Sequence, residues 1–355
     1  MTPGAEGAAR PLRPSAAVPE HPASETSERS DMTTSTPARP RRAAPEQPRP
    51  KHPRRRALAR FGGTGFLAAL PFLAPALAAY LVFVVGPSLE SVRLSFFEWS
   101  GFQGAPQVFV GLQNYVRIFT QDPVFWTAFS NTLIWVVLSL FIPVGLGLVM
   151  ALALNRPLFG RNAFRSLFYI PGVLAPIAIA NMWRWMYNPN YGVGVNLAQL
   201  FDLPWLAEVQ WLGDKNLALY SIFAAFVWQI AGTNMVLFLA GLQSVSPDHV
   251  EAARLDGANA WQVFRNVTIP ALRPTTVIVV VLTIINSIKV FDLIVGMTGG
   301  GPAQQTQVLA LWSFQQSFNN HEYGQGNAIA TVLLVITLVI VVPYMVWTAR
   351  QEKNS

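Results

Sequence analysis

Residues 246–274 read "SPDHVEAARLDGANAWQVFRNVTIPALRP", a polar, alanine-rich stretch set between the apolar runs 217–242 and 275–297. A helix needs about 20 mostly apolar residues to cross a hydrocarbon core about 30 Å thick, and both flanking runs are long enough. The rest of the chain repeats the pattern: 52% of residues are hydrophobic, 12% are charged, and mean hydropathy is +0.35. An average soluble domain has about 25% charged residues. Four further runs, 67–89, 128–154, 164–187 and 327–348, bring the expected spans to six. Lipid offers no partner to a free backbone N–H or C=O, so such runs fold as helices. The expected fold class is an all-α membrane protein with six transmembrane helices, its membrane domain covering residues 61–355.

Charge is placed unevenly. Residues 1–60 hold 12 Lys and Arg against 6 Asp and Glu, while the remainder hold 13 against 12. The first sixty residues are rich in Pro, Ala, Ser and Arg and poor in large apolar side chains, a composition that predicts a disordered basic tail. It has no interleaved aromatics for base stacking, which argues against nucleic acid as its partner. Its last cluster, Lys51, Arg54, Arg55, Arg56 and Arg60, precedes the first span, where it favours the cytoplasmic side and anionic lipid. The first span reads as an uncleaved helix rather than a secretory leader, because the apolar run continues through "YLVFVVGPSL". With the tail inside, inner loops carry Arg156, Arg161, Arg165, Arg254, Arg265, Arg273, Arg350 and Lys353, and outer segments carry Arg93, Arg117, Arg184 and Lys215. Both termini and the stretch 246–274 are therefore expected in the cytoplasm, in a multi-pass protein of the cell membrane.

Several chemistries lack their residues. There is no cysteine, hence no disulfide or thiolate site, and no Gly-Lys pair, hence no phosphate-binding loop for ATP. The run "MTGGGPAQQT" at 297–306 has no lysine and reads as a tight outer turn. The chain is expected to bind no metal or cofactor and not to be an enzyme. Ionisable residues inside spans are costly and informative. Lys289 and Asp292 stand three apart in the fifth span, and two readings stay open: an ion pair on one helix face, or a polar pathway with Asn286 and Ser287. In the fourth span Trp228, Gln229, Thr233 and Asn234 interrupt the apolar run, and helix–helix hydrogen bonding there competes with solute contact.

Within the opening stretch, Ser246 suits an N-cap, Pro247 the first helical position, and Asp248 and Glu251 the first turn. The helix breaks at Gly257. A second one, with Ala260, Trp261, Phe264 and Val267 at helical spacing, is expected to stop at Pro270. Small residues and an apolar ridge suit either a hinge packed on its own bundle or a helix seated in another protein's groove.

The run Glu251-Ala252-Ala253, Asp256-Gly257-Ala258, Phe264, Ile269-Pro270 and Pro274 resembles the EAA loop of binding-protein-dependent ABC importer permeases. Residues 158–200 and "FDLIVGMTGGGPAQQT" at 291–306 resemble the carbohydrate branch of that family, of the maltose/glycerophosphate type. The likeness runs from about residue 67 to the C-terminus. It implies a type I ABC importer permease fold, working with a second permease subunit, two cytoplasmic ATPase subunits that use the ATP, and an external solute-binding protein that delivers a carbohydrate. It makes 246–274 the coupling loop, with Glu251, Ala252, Ala253, Asp256, Gly257, Ala258, Trp261, Phe264 and Pro270 meeting the ATPase. It puts sugar contacts near Phe226, Gln229, Ile230, Asn286, Ser287 and Val290, to which side-chain chemistry adds Trp228 and Lys289. Ile230 and Val290 offer no hydrogen bonds, and Lys289 adds a charge that a neutral sugar does not require. An anionic solute such as a glycerophosphate therefore remains an alternative, as do a stand-alone secondary carrier and a membrane scaffold that moves no solute.

Overall fold

The computed structural model describes residues 64–353, so the tail expected at 1–60 lies outside the described residues. The chain divides into two units between Ala68 and Ala69, and the second, Ala69–Ser355, holds the helical bundle.

Helix α1 (Thr64–Tyr80) passes through a π-turn at Leu81–Val85 into α2 (Gly86–Leu94), and Pro71–Leu94 is apolar enough to cross a membrane. Two-residue strands β1 (Phe97–Glu98) and β2 (Val108–Phe109) pair antiparallel, an addition to the all-α expectation. Helix α3 (Gln113–Thr120) leads into the long span α4 (Pro123–Leu154). Then come α5 (Arg161–Val173), α6 (Pro176–Met186), α7 (Val193–Phe201), α8 (Pro204–Glu208) and the span α9 (Ala218–Gln243). The stretch 246–274 forms α10 (Pro247–Leu255), α11 (Ala260–Val263), a π-turn at Phe264–Thr268 and α12 (Ile269–Ala271). The chain closes with α13 (Arg273–Ile288), α14 (Asp292–Met297), α15 (Leu309–Phe314) and the last span, α16 (Tyr323–Lys353).

Four spans are single helices of 24 to 32 residues, and two bent pairs, α5 with α6 and α11–α12 with α13, are apolar enough to be the other two. The run 164–187, expected as one helix, turns by 102° between α5 and α6. Ala175 precedes Pro176, whose ring disfavours helical backbone at the residue before it, and Leu174 and Ala175 are both extended. The run 275–297 also fails as one helix: α13 ends at Ile288, and Lys289 to Phe291 separate it from α14. That break contains neither proline nor glycine.

Helix α9 is central, with more than half of its apolar stretch buried against none of the first span's. Helices in lipid gain no hydrophobic energy by pairing, so small residues and polar bridges hold them together. Gly232 lies so close to the Phe168 carbonyl of α5 that any Cβ would collide with backbone. On the α4 side, Trp135 packs edge-on against Phe223, with centroids 5.1 Å apart, and tilts onto Phe226 at 5.4 Å. Asn234, 2% exposed, donates from Nδ2 to Thr283 Oγ1 of α13 at 3.5 Å. In Asn234, then, the polar residue of the fourth span is a helix–helix bridge.

Candidate functional site

Both broken spans open at the same place. A cavity of 180 Å³ is lined by Pro176 at the start of α6, by Phe226, Gln229 and Ile230 on α9, and by Asn286 and the residues Lys289 to Leu293 across the fifth-span break. Irregular backbone at membrane depth is tolerated where it is buried in protein or lines a cavity, and this segment lines one. The interruption after Ile288 brings all five residues 289–293 to the lining, with Val290 and Leu293 also part of the apolar core around Trp135. Gln229, 9% exposed, makes no side-chain hydrogen bond among the described residues, so its amide is available to the cavity.

Six of the eight expected pathway residues thus come together: Phe226, Gln229, Ile230, Asn286, Lys289 and Val290. Two go elsewhere. Ser287 is fully buried and donates its hydroxyl to Thr283 O of its own helix at 2.7 Å. Trp228 turns to Trp183, edge-on with centroids 5.9 Å apart. The one-face ion pair also fails, because Lys289 and Asp292 flank a helix break, and among the described residues the salt bridges are Arg93–Glu90 and Arg117–Glu98. Pro176, Phe291 and Leu293 line the cavity without having been named from sequence. Pro176 carried a signal, as a proline within an expected span; Phe291 and Leu293 read as ordinary apolar positions.

The second half of the fifth span is held from outside. Gly296 faces α6, where an added Cβ would stand 2.5 Å from Ala180 Cβ and 2.9 Å from Ile177 Cδ1. The run 297–306 is a loop of successive tight turns, with Gly301 N donating to Thr298 O at 3.1 Å and Gln305 N to Pro302 O at 2.9 Å. Gly299, Gly300, Ala303 and Gln304 all have positive φ, and Thr306 donates to Gly301 O at 2.7 Å. Asn131 of α4 donates from Nδ2 to both Gln305 O and Gln307 O at 2.8 Å, and Thr132 Oγ1 accepts from Leu309 N at 3.0 Å. Asp122 caps α4 through Phe125 N at 3.0 Å and accepts from Trp312 Nε1 at 2.7 Å. These contacts fix α15 and the loop before it to α4.

At the other end of α13 lies the stretch 246–274. Helix α10 closes in a Schellman arrangement, with Ala258 N donating to Ala253 O and Gly257 N to Arg254 O, and Gly257 takes φ +81°. The elbow expected at Gly257 is therefore present. Ser246 has cap backbone geometry but its side chain makes no cap bond; the working cap is Asn259, paired with Gln262 in a capping box for α11. Pro270 does not stop the helix. The π-turn before it carries the chain on through α12, and the direction changes by 67° only before α13. Glu251, Ala252, Asp256, Gly257 and Trp261 are exposed; Ala253, Ala258 and Phe264 are half-buried. Leu255, 84% exposed beside Trp261 at 66%, is an apolar projection that sequence reading missed. Beneath them a 530 Å³ groove separates α10 and α11 from the ends of α4 and α9, between Leu152, Leu242, Val245, Trp261 and Phe264.

From the elbow the chain runs through α11, α12 and the 67° bend into α13, which ends at the break beside the cavity. Residues 143–354 match the binding-protein-dependent transport system inner membrane component. The chain belongs to this family. The permease is 36% identical over 287 residues to a probable ABC transporter permease protein of Pyrococcus horikoshii, covering 80% of this chain and 96% of that one. It is 33% identical over 281 residues to the trehalose/maltose transport system permease protein MalF of Thermococcus litoralis, covering 79% and 92%. Among solved structures, a bacterial ABC transporter for import of the acidic polysaccharide alginate has a TM-score of 0.68 at 23% identity, covering 83% of the permease and 99% of that chain. The same transporter bound to an alginate pentasaccharide-loaded periplasmic protein gives 0.67. The fold is that of a type I ABC importer permease, an all-α protein with four unbroken apolar helices and two bent pairs.

Proposed function

We propose that the permease is the translocation subunit of an ATP-driven importer for a carbohydrate handed over by an external solute-binding protein. The observation that carries this reading is the cavity at the junction of the two broken spans with α9. Gln229 and Asn286 supply amides for hydroxyls, and Phe226 and Phe291 supply faces for ring C–H surfaces. The names of the relatives support a sugar: one is a trehalose/maltose permease, and the alginate transporter was solved with a sugar-loaded periplasmic protein. At 180 Å³ the cavity is smaller than the roughly 300 Å³ at the low end for ligand pockets, in keeping with a second permease subunit supplying the facing wall.

Energy comes from elsewhere. Two cytoplasmic ATPase subunits grip the ridge from Glu251 to Trp261, with both termini of the permease on that side of the membrane. Helix α13, 16 residues and so about 24 Å long, carries their movement from the elbow to the break. Access alternates by rocking of these helices, and the permease itself binds no nucleotide, metal or cofactor.

Uptake tests this reading. Cells expressing the permease with the subunits that co-purify with it should accumulate one of a panel of labelled mono- and disaccharides, and accumulation should stop when the ATPase subunits are inactivated. Transport driven by an ion gradient alone would overturn it. A second reading rests on Lys289, which lines the cavity without a carboxylate partner among the described residues. It expects an anionic sugar or a glycerophosphate, so glycerol 3-phosphate belongs in the panel.

A further inference from the structure

Helix α3 divides its surroundings three ways. Asn114 and Ile118, 1% and 0% exposed, face the protein, and Asn114 donates from Nδ2 to Ser95 O and Phe97 O, each at 2.9 Å. Leu112, at its N-cap, Val116 and Phe119 are 65%, 54% and 41% exposed. At 100° per residue these three fall within an arc of about 60°. Gln113, Arg117 and Thr120 occupy the adjoining arc, with Gln113 and Thr120 exposed and Arg117 Nη2 3.8 Å from Glu98 Oε2. A helix wholly in water has no use for a clustered apolar arc, and a helix inside a protein core has none for the polar one.

The position of α3 identifies the third environment. It ends at Thr120, and the membrane span α4 begins at Pro123. Trp126, in the first turn of α4, donates from Nε1 to Phe119 O at 3.0 Å, and its ring lies 5.9 Å from that of Phe119 while 47% exposed. From Trp126 the exposed side chains of α4 continue through Ile134, Val137 and Phe141, all within an arc of about 80°, before the exposed side turns toward Ile142, Leu146 and Val149. The apolar arc of α3 is therefore continuous, through a tryptophan, with the exposed apolar side of a span. Tryptophan prefers the headgroup level, and a short amphipathic helix with a polar flank is suited to lie in that plane.

The geometry points to α3 as an interfacial anchor: Leu112, Val116 and Phe119 enter the acyl boundary of the leaflet at the end of the bundle opposite 246–274, while Gln113, Arg117 and Thr120 face water and lipid headgroups. The anchor sets the depth of α4. Through Asp122, Asn131 and Thr132, which hold the segment 305–312, it also sets the height of the fifth-span exit.

The chain has no cysteine, so single labels can be placed in it, and the cysteine-free permease with the same subunits gives the background to subtract. Leu112→Cys, Val116→Cys and Phe119→Cys are compared with Gln113→Cys, Arg117→Cys and Thr120→Cys. Each is spin-labelled in the full-length permease, co-expressed with its co-purifying subunits and reconstituted into phosphatidylethanolamine/phosphatidylglycerol liposomes. Oxygen, which concentrates in lipid, should relax the first three labels several-fold more than a water-soluble nickel chelate does, with the preference reversed at the second three. Reaction of the same cysteines with a membrane-impermeant maleimide, fast for the second set and slow for the first, gives an independent reading. Nickel access at all six positions would put the arc in water and overturn the proposal. Low access to both reagents at Val116 and Phe119 would place a protein partner there and overturn it equally.

Discussion

The two broken spans differ in how the break is made. In the third, Pro171, Gly172 and Pro176 crowd the bend, and Ala175 is extended because a proline comes next. In the fifth, "INSIKVFDL" has no proline or glycine and its residues would continue a helix, yet α13 stops at Ile288. What supports the second break is packing. Gly296 lets α14 lie against Ala180 and Ile177 of α6, and α4 holds the loop beyond α14. One break has a local signal as well as packing behind it and the other has packing alone, and the cavity needs both.

Gly296→Leu should give the largest effect. Its side chain must displace Ala180 and Ile177, and overpacking of this kind costs about 1–3 kcal/mol. Uptake should vanish and the unfolding temperature of the purified permease should fall; wild-type uptake would show that α14 does not depend on α6. Next comes Asn286→Ala, which removes a cavity amide and no packing core. Uptake should drop about tenfold, equivalent to about 1.4 kcal/mol, with unchanged thermal unfolding. Equal loss of stability would make Asn286 a structural residue instead.

Gly257→Val probes the far end of α13. A β-branched residue at φ +81° costs about 1–2 kcal/mol locally, and because nothing lies within 4 Å of a Cβ there, the damage should stay in the elbow. Co-purification of the ATPase subunits should weaken while the permease still inserts in the membrane. The smallest effect is expected from Pro176→Ala. The proline disfavours helix at Ala175, but Gly232 against Phe168 and Gly296 against Ala180 already hold α5 and α6 in place. Stability should change by less than about 1 kcal/mol, and the 102° bend should survive in distances between spin labels at Arg165 and Arg184. Straightening of the span would mean that the proline alone makes the bend.

The residues of the loop 246–274 were easier to read than those of the cavity, for a physical reason. Caps, elbows and exposed ridges are local: Gly257 meets a backbone demand set by its immediate neighbours, and Glu251 to Ala258 stand together because they are consecutive. Even here local logic had limits. Ser246 stands at the N-cap of α10 without a side-chain bond while Asn259 caps α11, and a π-turn carried the helix through Pro270. The cavity gathers residues from three segments, so chemistry in sequence marked Gln229, Asn286 and Lys289 but also Trp228 and Ser287, which face other helices.

By itself the sequence determined that the chain lies in a membrane, where its six apolar runs fall, and that a polar elbow interrupts the fourth and fifth of them. Those properties depend on composition and on neighbours a few residues apart. Only the tertiary structure decided which spans stay whole. The fifth-span break rests on Gly296, which lets α14 lie close against Ala180 and Ile177 of α6, and on hydrogen bonds between Asn131 and Thr132 and a segment more than 170 residues away. Helix propensity along 286–292 carries no record of those contacts. Together with the bend of the third span at Pro176, they open the cavity.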